Sequence, residues 1–396
     1  MLKQIPITKL VPGMYVNQVV KQSGKLKMRS KGLVKSAATI TQLKQKGIEL
    51  VEVDLEKSQV NQINNTPTKA PKAPAAERPK AKKSNSEQFT TANDLYLQAL
   101  RIKGDFIQNL TQGFEADVSK VCELSQHIID SIFDNNNAIR CLTLIKNTDK
   151  YLLEHCINCS ILMGVFARYL NFDKTLIEDL SLGAMLMDIG MATIPTDAFQ
   201  KSGQLSQSEW QIMRGHVDAG VELLEPFEQL SDTVFDIIQN HHERLDGSGY
   251  PAGKQEQSIS TYARMAAIVD CFDAMTSNRH HQQGRTPIVV LRQLLKDPTL
   301  DASLVQQFVK CVGVHPIGSL VKLKSEKLAL VSSLGKSDPL SPVVMTFYSL
   351  RSNTHAEIKR IDLSKSEDEI VASVKPDEFK MNLTKFFREI FIHQVP

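Results

Sequence analysis

The chain has 396 residues, of which 42% are apolar and 23% charged, values that fit a soluble protein with at least one substantial core. The net charge is only +3, and much of the positive excess lies in residues 66–83, where six Lys and Arg accompany one Glu. The remainder is close to neutral, which argues against a surface for nucleic acid polymers.

The N-terminal sequence lacks the apolar segment of a signal peptide, and no apolar run reaches the ~18 residues of a membrane span. The six cysteines are scattered and do not form a small disulfide framework. We therefore expect a cytoplasmic protein.

Residues 1–56 predict a small α+β domain. A Pro-Gly turn in "LVPGMYVNQVV" precedes strand-like residues, "IELVEVD" (Ile48–Asp54) predicts a second strand, and "SAATITQLKQKG" predicts a helix between them. In residues 57–90, Pro, Lys, Ala, Asn and Ser replace the large apolar residues. That composition predicts a disordered linker.

Residues 91–315 predict a helical bundle. Apolar residues recur at three- and four-residue steps in "CINCSILMGVFARYL" and "LIEDLSLGAMLMD", the pattern of amphipathic helices. After Pro316, "GSLVKLKSEKLALVSSLG" alternates apolar and polar residues, which predicts antiparallel strands, and a final helix is expected from Asp377. The fold class is therefore mainly α, with a short β-rich C-terminal extension at residues 316–396.

Two carboxylates stand alone in apolar runs. Asp188 lies in "MLMDIGMATIP" and Asp270 in "MAAIVDCFDAM". A carboxylate carried into an apolar interior must be paired, hydrogen-bonded or bound to a metal. An isolated core carboxylate is more often satisfied locally than functional.

Four of the ten histidines stand out in the same way. His155 and His216 lie on helical segments, while His241 and His242 are adjacent in "QNHHERLDGSGYPAG", about 100° apart on a helix end. Neutral imidazoles with carboxylates are ligands of transition metals. Buried structural or exposed helix-end histidines are the alternative, but six such residues on five segments favour a shared metal centre.

"HCINC" offers a different site, because His155, Cys156 and Cys159 together suggest zinc. The spacing lies within a strong helical pattern, and no second cysteine pair follows. We therefore interpret both cysteines as small core residues.

The ordered motifs resemble the HD-GYP family of bacterial cyclic dinucleotide phosphodiesterases, a branch of the HD superfamily. "HHERLDGSGYP" is the most specific match, and "DIGMATIP", "LSQSEWQIMRGHVDAG" and "RMAAIVDCFDAMTSNR" match other segments of that family. The resemblance covers about residues 140–315. The first module resembles the small domain of unknown function that often precedes HD-GYP domains.

The resemblance implies a helical bundle that holds divalent transition metals, most often iron or manganese. Asp188 is then the carboxylate that bridges two metals and the expected catalytic residue. The implied substrate is cyclic di-GMP or a related cyclic dinucleotide, contacted by Gly249, Tyr250, Pro251 and Arg279. The implied metal ligands are His155, Asp188, His216, His241, His242 and Asp270.

The chain departs from the family pattern at four positions. Met187 replaces a histidine ligand, Met191 replaces a lysine, Tyr151 replaces a glutamate of members with a third metal, and Gln282 replaces a basic residue. One metal keeps a full ligand set and another keeps three ligands, so we expect one or two metals. Thioether sulfur is a poor ligand for a hard metal such as iron or manganese.

Two functions therefore remain open at this point. The chain is a phosphodiesterase of weakened activity, or an inactive module that senses a cyclic dinucleotide or binds a signalling protein. A nucleotidase of the wider HD superfamily is a distant third, because the GYP segment is so specific. Signalling partner proteins and a homodimer are compatible with both of the first two functions.

Overall fold

The structure is a computed structural model, and it divides into two compact units, Met1–Lys80 and Ala81–Pro396. Among the described residues, no helix is both long and apolar enough to cross a membrane. The structure describes residues 2–11, 14–22, 32–34, 40, 43–44, 48–54, 57, 85–144, 151–195, 206–278, 283–335 and 338–379.

The N-terminal unit contains an antiparallel sheet with strand order β1-β4-β2-β3. Its strands are β1 (Leu2–Pro6), β2 (Tyr15–Gln22), β3 (Gly32–Leu33) and β4 (Ile48–Asp54). Strand β4 covers the residues predicted for it, because alternate side chains such as Val51 and Val53 are buried in the small core of this unit. Most of the helix predicted at residues 36–47 lies outside the described residues.

The second unit is mainly helical, as predicted. Helix α1 begins at Asn85, inside the segment that the sequence analysis assigned to the linker. The sequence did not reveal this start because the first turn of the helix has the same polar composition as the linker. The helices are α1 (Asn85–Gln112), α2 (Val118–Leu142), α3 (Tyr151–Tyr169), α4 (Lys174–Leu186), α5 (Gln207–Arg214), α6 (His216–Leu224), α7 (Asp232–Asn240), α8 (Thr261–Thr276), α9 (Pro287–Leu294) and α10 (Ala302–Val312).

Helix α3 forms the centre of the bundle. Every side chain from Glu154 to Ala167 is buried, so this helix is covered on all sides rather than on one face. Helices α2, α4 and α8 pack against it, and α4 also packs on α7. The arrangement brings the ends of α4 and α7 and the middle of α8 around one side of α3.

A five-stranded antiparallel sheet follows the helices, with strand order β8-β7-β6-β5-β9. Leu320, Leu328 and Leu330 join the helical core from one face of the sheet, while Val321 and Val331 build a second cluster on the opposite face. The strands are β5 (Leu320–Leu323), β6 (Lys327–Ser333), β7 (Val343–Ser349), β8 (Thr354–Asp362) and β9 (Ile370–Ser373).

The β-rich extension therefore forms as predicted. The helix expected from Asp377 lies mostly outside the described residues, which end in a short 3-10 helix at Pro376–Phe379.

Candidate metal centre

The six predicted ligand residues lie in one cluster. His155 lies in the second turn of α3, Asp188 in the turn after α4, and Asp270 on α8. His216 begins α6, and His241 and His242 directly follow α7. The two carboxylates lie between the imidazoles. The closest nitrogen–oxygen distances are 3.3 Å for His155–Asp188, 3.3 Å for His216–Asp188, 3.7 Å for His241–Asp188, 3.1 Å for His155–Asp270 and 3.7 Å for His242–Asp270.

A close backbone approach places Asp188 beside His216. Asp188 immediately precedes a short 3-10 helix, Ile189–Thr193, which packs against α6. A Cβ atom on Gly190 would lie 2.0 Å from the His216 carbonyl oxygen and 2.5 Å from the Gly220 nitrogen. Only glycine fits there, so this residue of "DIGMATIP" sets the distance between Asp188 and α6.

Backbone carbonyls fix the orientation of two histidines. The His216 Nδ1–H donates to the Met213 carbonyl oxygen at 2.7 Å, and the His241 Nδ1–H donates to the Ile238 carbonyl oxygen at 2.9 Å. Each imidazole therefore turns its Nε2 atom towards Asp188. Both Nε2 atoms are buried and have no hydrogen-bond partner.

This arrangement fits a bound cation. When both imidazoles are neutral, the lone pairs of their Nε2 atoms and of a carboxylate oxygen face one another, which is unfavourable unless a positive charge lies between them. One ligand atom from each of Asp188, His216, His241 and His242 lies within 4.8 Å of all the others. The donor set of three nitrogens and one oxygen suits a divalent transition metal.

Asp273 orients His155, and the sequence analysis missed it. Its Oδ2 atom accepts a hydrogen bond from His155 Nδ1 at 2.8 Å, and its side chain is 1% exposed. The carboxylate thus directs Nε2 of His155 towards Asp188 and Asp270. The signal was available in "DCFDAM", because residues three apart lie on the same helix face.

Burial and charge set the protonation of the cluster. Burial acts to raise the pKa of Asp188, but its interactions with His155, His216 and His241 hold that pKa well below its usual value. Burial acts to lower the pKa of His155, but neighbouring groups that include both carboxylates hold it well above its usual value. The metal-free cluster therefore retains a positive charge beside ionised Asp188.

His242 behaves differently. Burial and the nearby His241 hold the pKa of His242 well below its usual value, so its imidazole stays neutral and able to bind a metal. The ring of Tyr250 stacks on it, with centroids 4.5 Å apart and planes 26° apart. Burial, with the negative charges of Asp270 and Asp188, raises the pKa of the Tyr250 phenol, which stays protonated.

The "DGSGYP" loop is folded back onto the histidine pair. The Glu243 carboxylate accepts hydrogen bonds from the backbone N–H groups of Ala252 at 2.8 Å and Lys254 at 2.9 Å. The Tyr250 N–H donates to the His242 carbonyl oxygen at 3.2 Å. A Cβ atom on Gly249 would lie 2.4–2.5 Å from the backbone of residues 242–244, so the loop requires glycine there.

Gly249, Tyr250 and Pro251 therefore lie next to the metal cluster, as their expected contact with substrate requires. Glu243, buried at 2% exposure, holds the ends of the loop together and was also missed from the sequence. In the sequence, an acidic residue directly after two histidines is typical of a charged surface residue, which is why Glu243 was missed. Arg279 and Gln282 lie outside the described residues.

The three other departures from the family pattern have defined places. Met187 is fully buried in the hydrophobic core, and Met191 lies half-buried on the 3-10 helix. The Tyr151 ring stacks on His155, with centroids 5.5 Å apart.

Two cysteines and a lysine complete the surroundings of the cluster. Cys156 and Cys159 are buried free thiols, as expected for core residues, although the Cys159 sulfur lies 3.8 Å from both His155 nitrogens. His155, Cys159 and Asp273 also bring ligand atoms within 4.8 Å of one another. Lys103 of α1 is fully buried and donates to the Met185 carbonyl oxygen, close to Asp188 in the chain.

Family models match most of the chain. The HD domain model matches residues 138–303, which contain the whole cluster, and a domain of unknown function, DUF3391, matches residues 2–121. Residues 138–303 therefore form an HD domain. The folded "HHERLDGSGYP" loop within it is similar to the corresponding segment of the HD-GYP family.

Characterised HD-GYP relatives are similar over different lengths. A cyclic di-GMP phosphodiesterase of Pseudomonas aeruginosa is 29% identical over 92% of this chain and 90% of its own length. The 3'3'-cGAMP-specific phosphodiesterase 2 of Vibrio cholerae is 34% identical over 36% of this chain and 24% of its own length. A solved HDG"Y"P protein from Bdellovibrio bacteriovorus is 16% identical over 78% of this chain and 99% of its own, with a TM-score of 0.48.

Proposed function

We propose that this protein is a metal-dependent phosphodiesterase that hydrolyses a cyclic dinucleotide, with cyclic di-GMP as the first substrate to test. The observation that carries the proposal is the pair of buried, unpartnered Nε2 atoms of His216 and His241 that face Asp188. They form a place for a cation beside a loop suited to a phosphate ligand. The similarity to a cyclic di-GMP phosphodiesterase over 92% of the chain supports this choice of substrate.

The proposed metals are iron or manganese, because the ligands combine imidazole nitrogen with carboxylate oxygen. Asp188, His216, His241 and His242 hold one metal, and His155, Asp188 and Asp270 hold a second, weaker one. A divalent metal bound there supplies Lewis-acid stabilisation of charge on a phosphoryl group and a lowered pKa for water.

The protein's own residues bind and orient the substrate in this proposal. Tyr250, kept protonated beside His242, donates a hydrogen bond to a phosphate oxygen. The backbone of Gly249 and Pro251 shapes the loop wall, and Arg279 is proposed as a substrate contact from the family resemblance alone. Asp273 keeps His155 oriented, since its carboxylate fixes the Nδ1 proton.

The second candidate is an inactive module that binds a cyclic dinucleotide without cleaving it. Two observations favour it: Met187 is packed in the apolar core, and Met191 offers no amine where the family has a lysine. Loss of a well-placed general acid typically costs ~10²–10⁴-fold in rate. Binding needs neither side chain.

Metal content and hydrolysis separate these functions. We expect one or two metals per purified chain and slow production of a linear dinucleotide or mononucleotides from cyclic di-GMP. Asp188→Ala removes both. The matched control is Asp218→Ala, because exposed Asp218 lies two residues after His216 and about 200° around the same helix.

Near-zero metal in the wild type refutes the phosphodiesterase proposal. Unchanged metal in Asp188→Ala refutes the bridging role of Asp188. Tight binding of cyclic di-GMP without turnover favours the inactive module.

We further propose a cytoplasmic protein, in agreement with six free thiols. We also propose a signalling partner protein and a homodimer. A partner protein is required by the second candidate function, because an inactive module acts only through contacts with other molecules. Light scattering and affinity purification test both.

A further inference from the structure

A cavity lies on one face of helix α5, outside the metal cluster. Its volume is about 460 Å³, within the range of small-molecule sites. Helix α5 buries none of its side chains, so this face is open to a ligand. Among the described residues, the cavity is lined by Gln207, Trp210, Gln211 and Arg214, which lie at positions i, i+3, i+4 and i+7.

The cavity is connected to the metal cluster through stacked side chains. The Arg214 guanidinium carbon lies 5.0 Å from the centre of the Tyr250 ring. Tyr250 in turn stacks on His242, with ring centroids 4.5 Å apart. Arg214 and Tyr250 therefore link the cavity to the six-residue cluster.

The side chains of the cavity have the chemistry of a nucleobase site. Trp210 is 50% exposed and offers a flat aromatic face, on which any base can stack. Gln207 and Gln211 supply amide donors and acceptors for a base edge, and arginine pairs well with guanine O6 and N7. An aliphatic ligand leaves these polar groups unused, since Trp210 is the one large apolar residue among the described lining.

We propose that Trp210 stacks on one purine base of the cyclic dinucleotide whose phosphodiester lies at the metal cluster, and that Gln207 and Gln211 bind the edge of that base. This inference rests on the proposed function and adds the base-recognition part of its site. Arg214 links base and loop, because it touches the cavity and Tyr250 together.

Trp210 is the single tryptophan of the chain, so its emission reports this site alone. The full chain with its metal is titrated with cyclic di-GMP, and emission is read within seconds while chromatography confirms that the ligand is intact. We expect saturable quenching, because a stacked base quenches indole. The midpoint should equal the dissociation constant measured by rapid filtration within the same few seconds.

Substitutions test whether the stacked ring contributes binding. We expect Trp210→Ala to weaken binding about 5–150-fold, the range for loss of one base stack. Trp210→Phe retains an aromatic face and should lose much less. The control is Ile212→Ala, because Ile212 is 44% exposed on the same helix and does not line the cavity.

The outcomes distinguish this inference from the function on which it rests. Either of two results overturns the base site and leaves the phosphodiesterase in place. In the first, the wild type binds or hydrolyses cyclic di-GMP without a change in emission. In the second, Trp210→Ala binds cyclic di-GMP with the same affinity as the wild type. A wild type that neither binds nor hydrolyses cyclic di-GMP overturns both. Equal loss in Trp210→Ala and Trp210→Phe, with unchanged melting temperatures, overturns stacking as the source of affinity.

Discussion

Asp273→Asn tests how strongly the residue behind His155 contributes to metal binding. The Asp273 carboxylate lies 2.8 Å from His155 Nδ1, and both side chains are almost fully buried. Asparagine has nearly the same shape, and its amide oxygen can still accept a hydrogen bond from the Nδ1–H group of His155. The substitution removes the negative charge. His155 then becomes a weaker ligand while its orientation is kept.

We expect the metal at the His155 side to bind about 10–100-fold more weakly, the usual effect of losing a carboxylate that supports a histidine ligand. This corresponds to about 1.4–2.7 kcal/mol. The metal held by Asp188, His216, His241 and His242 should be less affected, because Asp273 is hydrogen-bonded to His155 on α3, whereas those three histidines lie on α6 and directly after α7.

Metal content after dialysis against chelators of increasing strength measures the effect. We expect Asp273→Asn to lose one metal at a weaker chelator than the wild type, and to retain the other. Asp236→Asn is the matched control, because Asp236 accepts hydrogen bonds from Asn240 and Ser260 rather than from a histidine of the cluster. Identical chelator profiles for Asp273→Asn and the wild type would refute the orienting role.

Three further predictions concern the HD turn, the loop and pH. Met187→His with Met191→Lys should raise hydrolysis by about 10²–10⁴-fold if the wild type is a weakened enzyme, as measured by product chromatography; unchanged turnover speaks against that reading. Gly249→Ala should destabilise the protein by about 1–3 kcal/mol, because the added methyl meets the Arg244 backbone nitrogen at 2.4 Å, and an unchanged melting temperature contradicts this. The folded pKa of Asp188 lies well below 3.8, so its contribution to the stability of the metal-free protein is present above that pH and is lost on further acidification. Asp188→Asn should therefore show a flatter melting profile below about pH 5, and an equal slope argues against a depressed pKa.

The sequence analysis named all six cluster residues. Asp188, Asp270 and His155 each stand alone in an apolar segment, where burial leaves few explanations, whereas His216 lies on an amphipathic segment and His241 and His242 form an adjacent pair. Asp273 and Glu243 escaped, since acidic side chains near the ends of motifs look the same whether they face solvent or support a ligand. Their roles depend on contacts between distant elements, such as α3 with α8.

Local sequence pattern explains which secondary-structure elements were predicted correctly, and tertiary contacts explain which features were missed. Strand β4 followed from its alternation, whereas the start of α1 at Asn85 did not, because the first turn of that helix is polar. The cavity beside Trp210 also needed the structure, since the approach of Arg214 to Tyr250 joins two segments separated by the whole of α6 and α7.

The C-terminal sheet sets where this protein can be cut. The sheet contributes buried side chains to the same apolar cluster as the helices, so these side chains lie inside the core and not at its edge: Leu320, Leu328 and Leu330. A recombinant fragment that stops at residue 315, the boundary suggested by motif matching, uncovers that cluster. Such a fragment is expected to aggregate, whereas one extended beyond β9 keeps its interior closed. The unit that folds is thus longer than the unit that carries the family's motifs, and experiments on the isolated domain need the longer one.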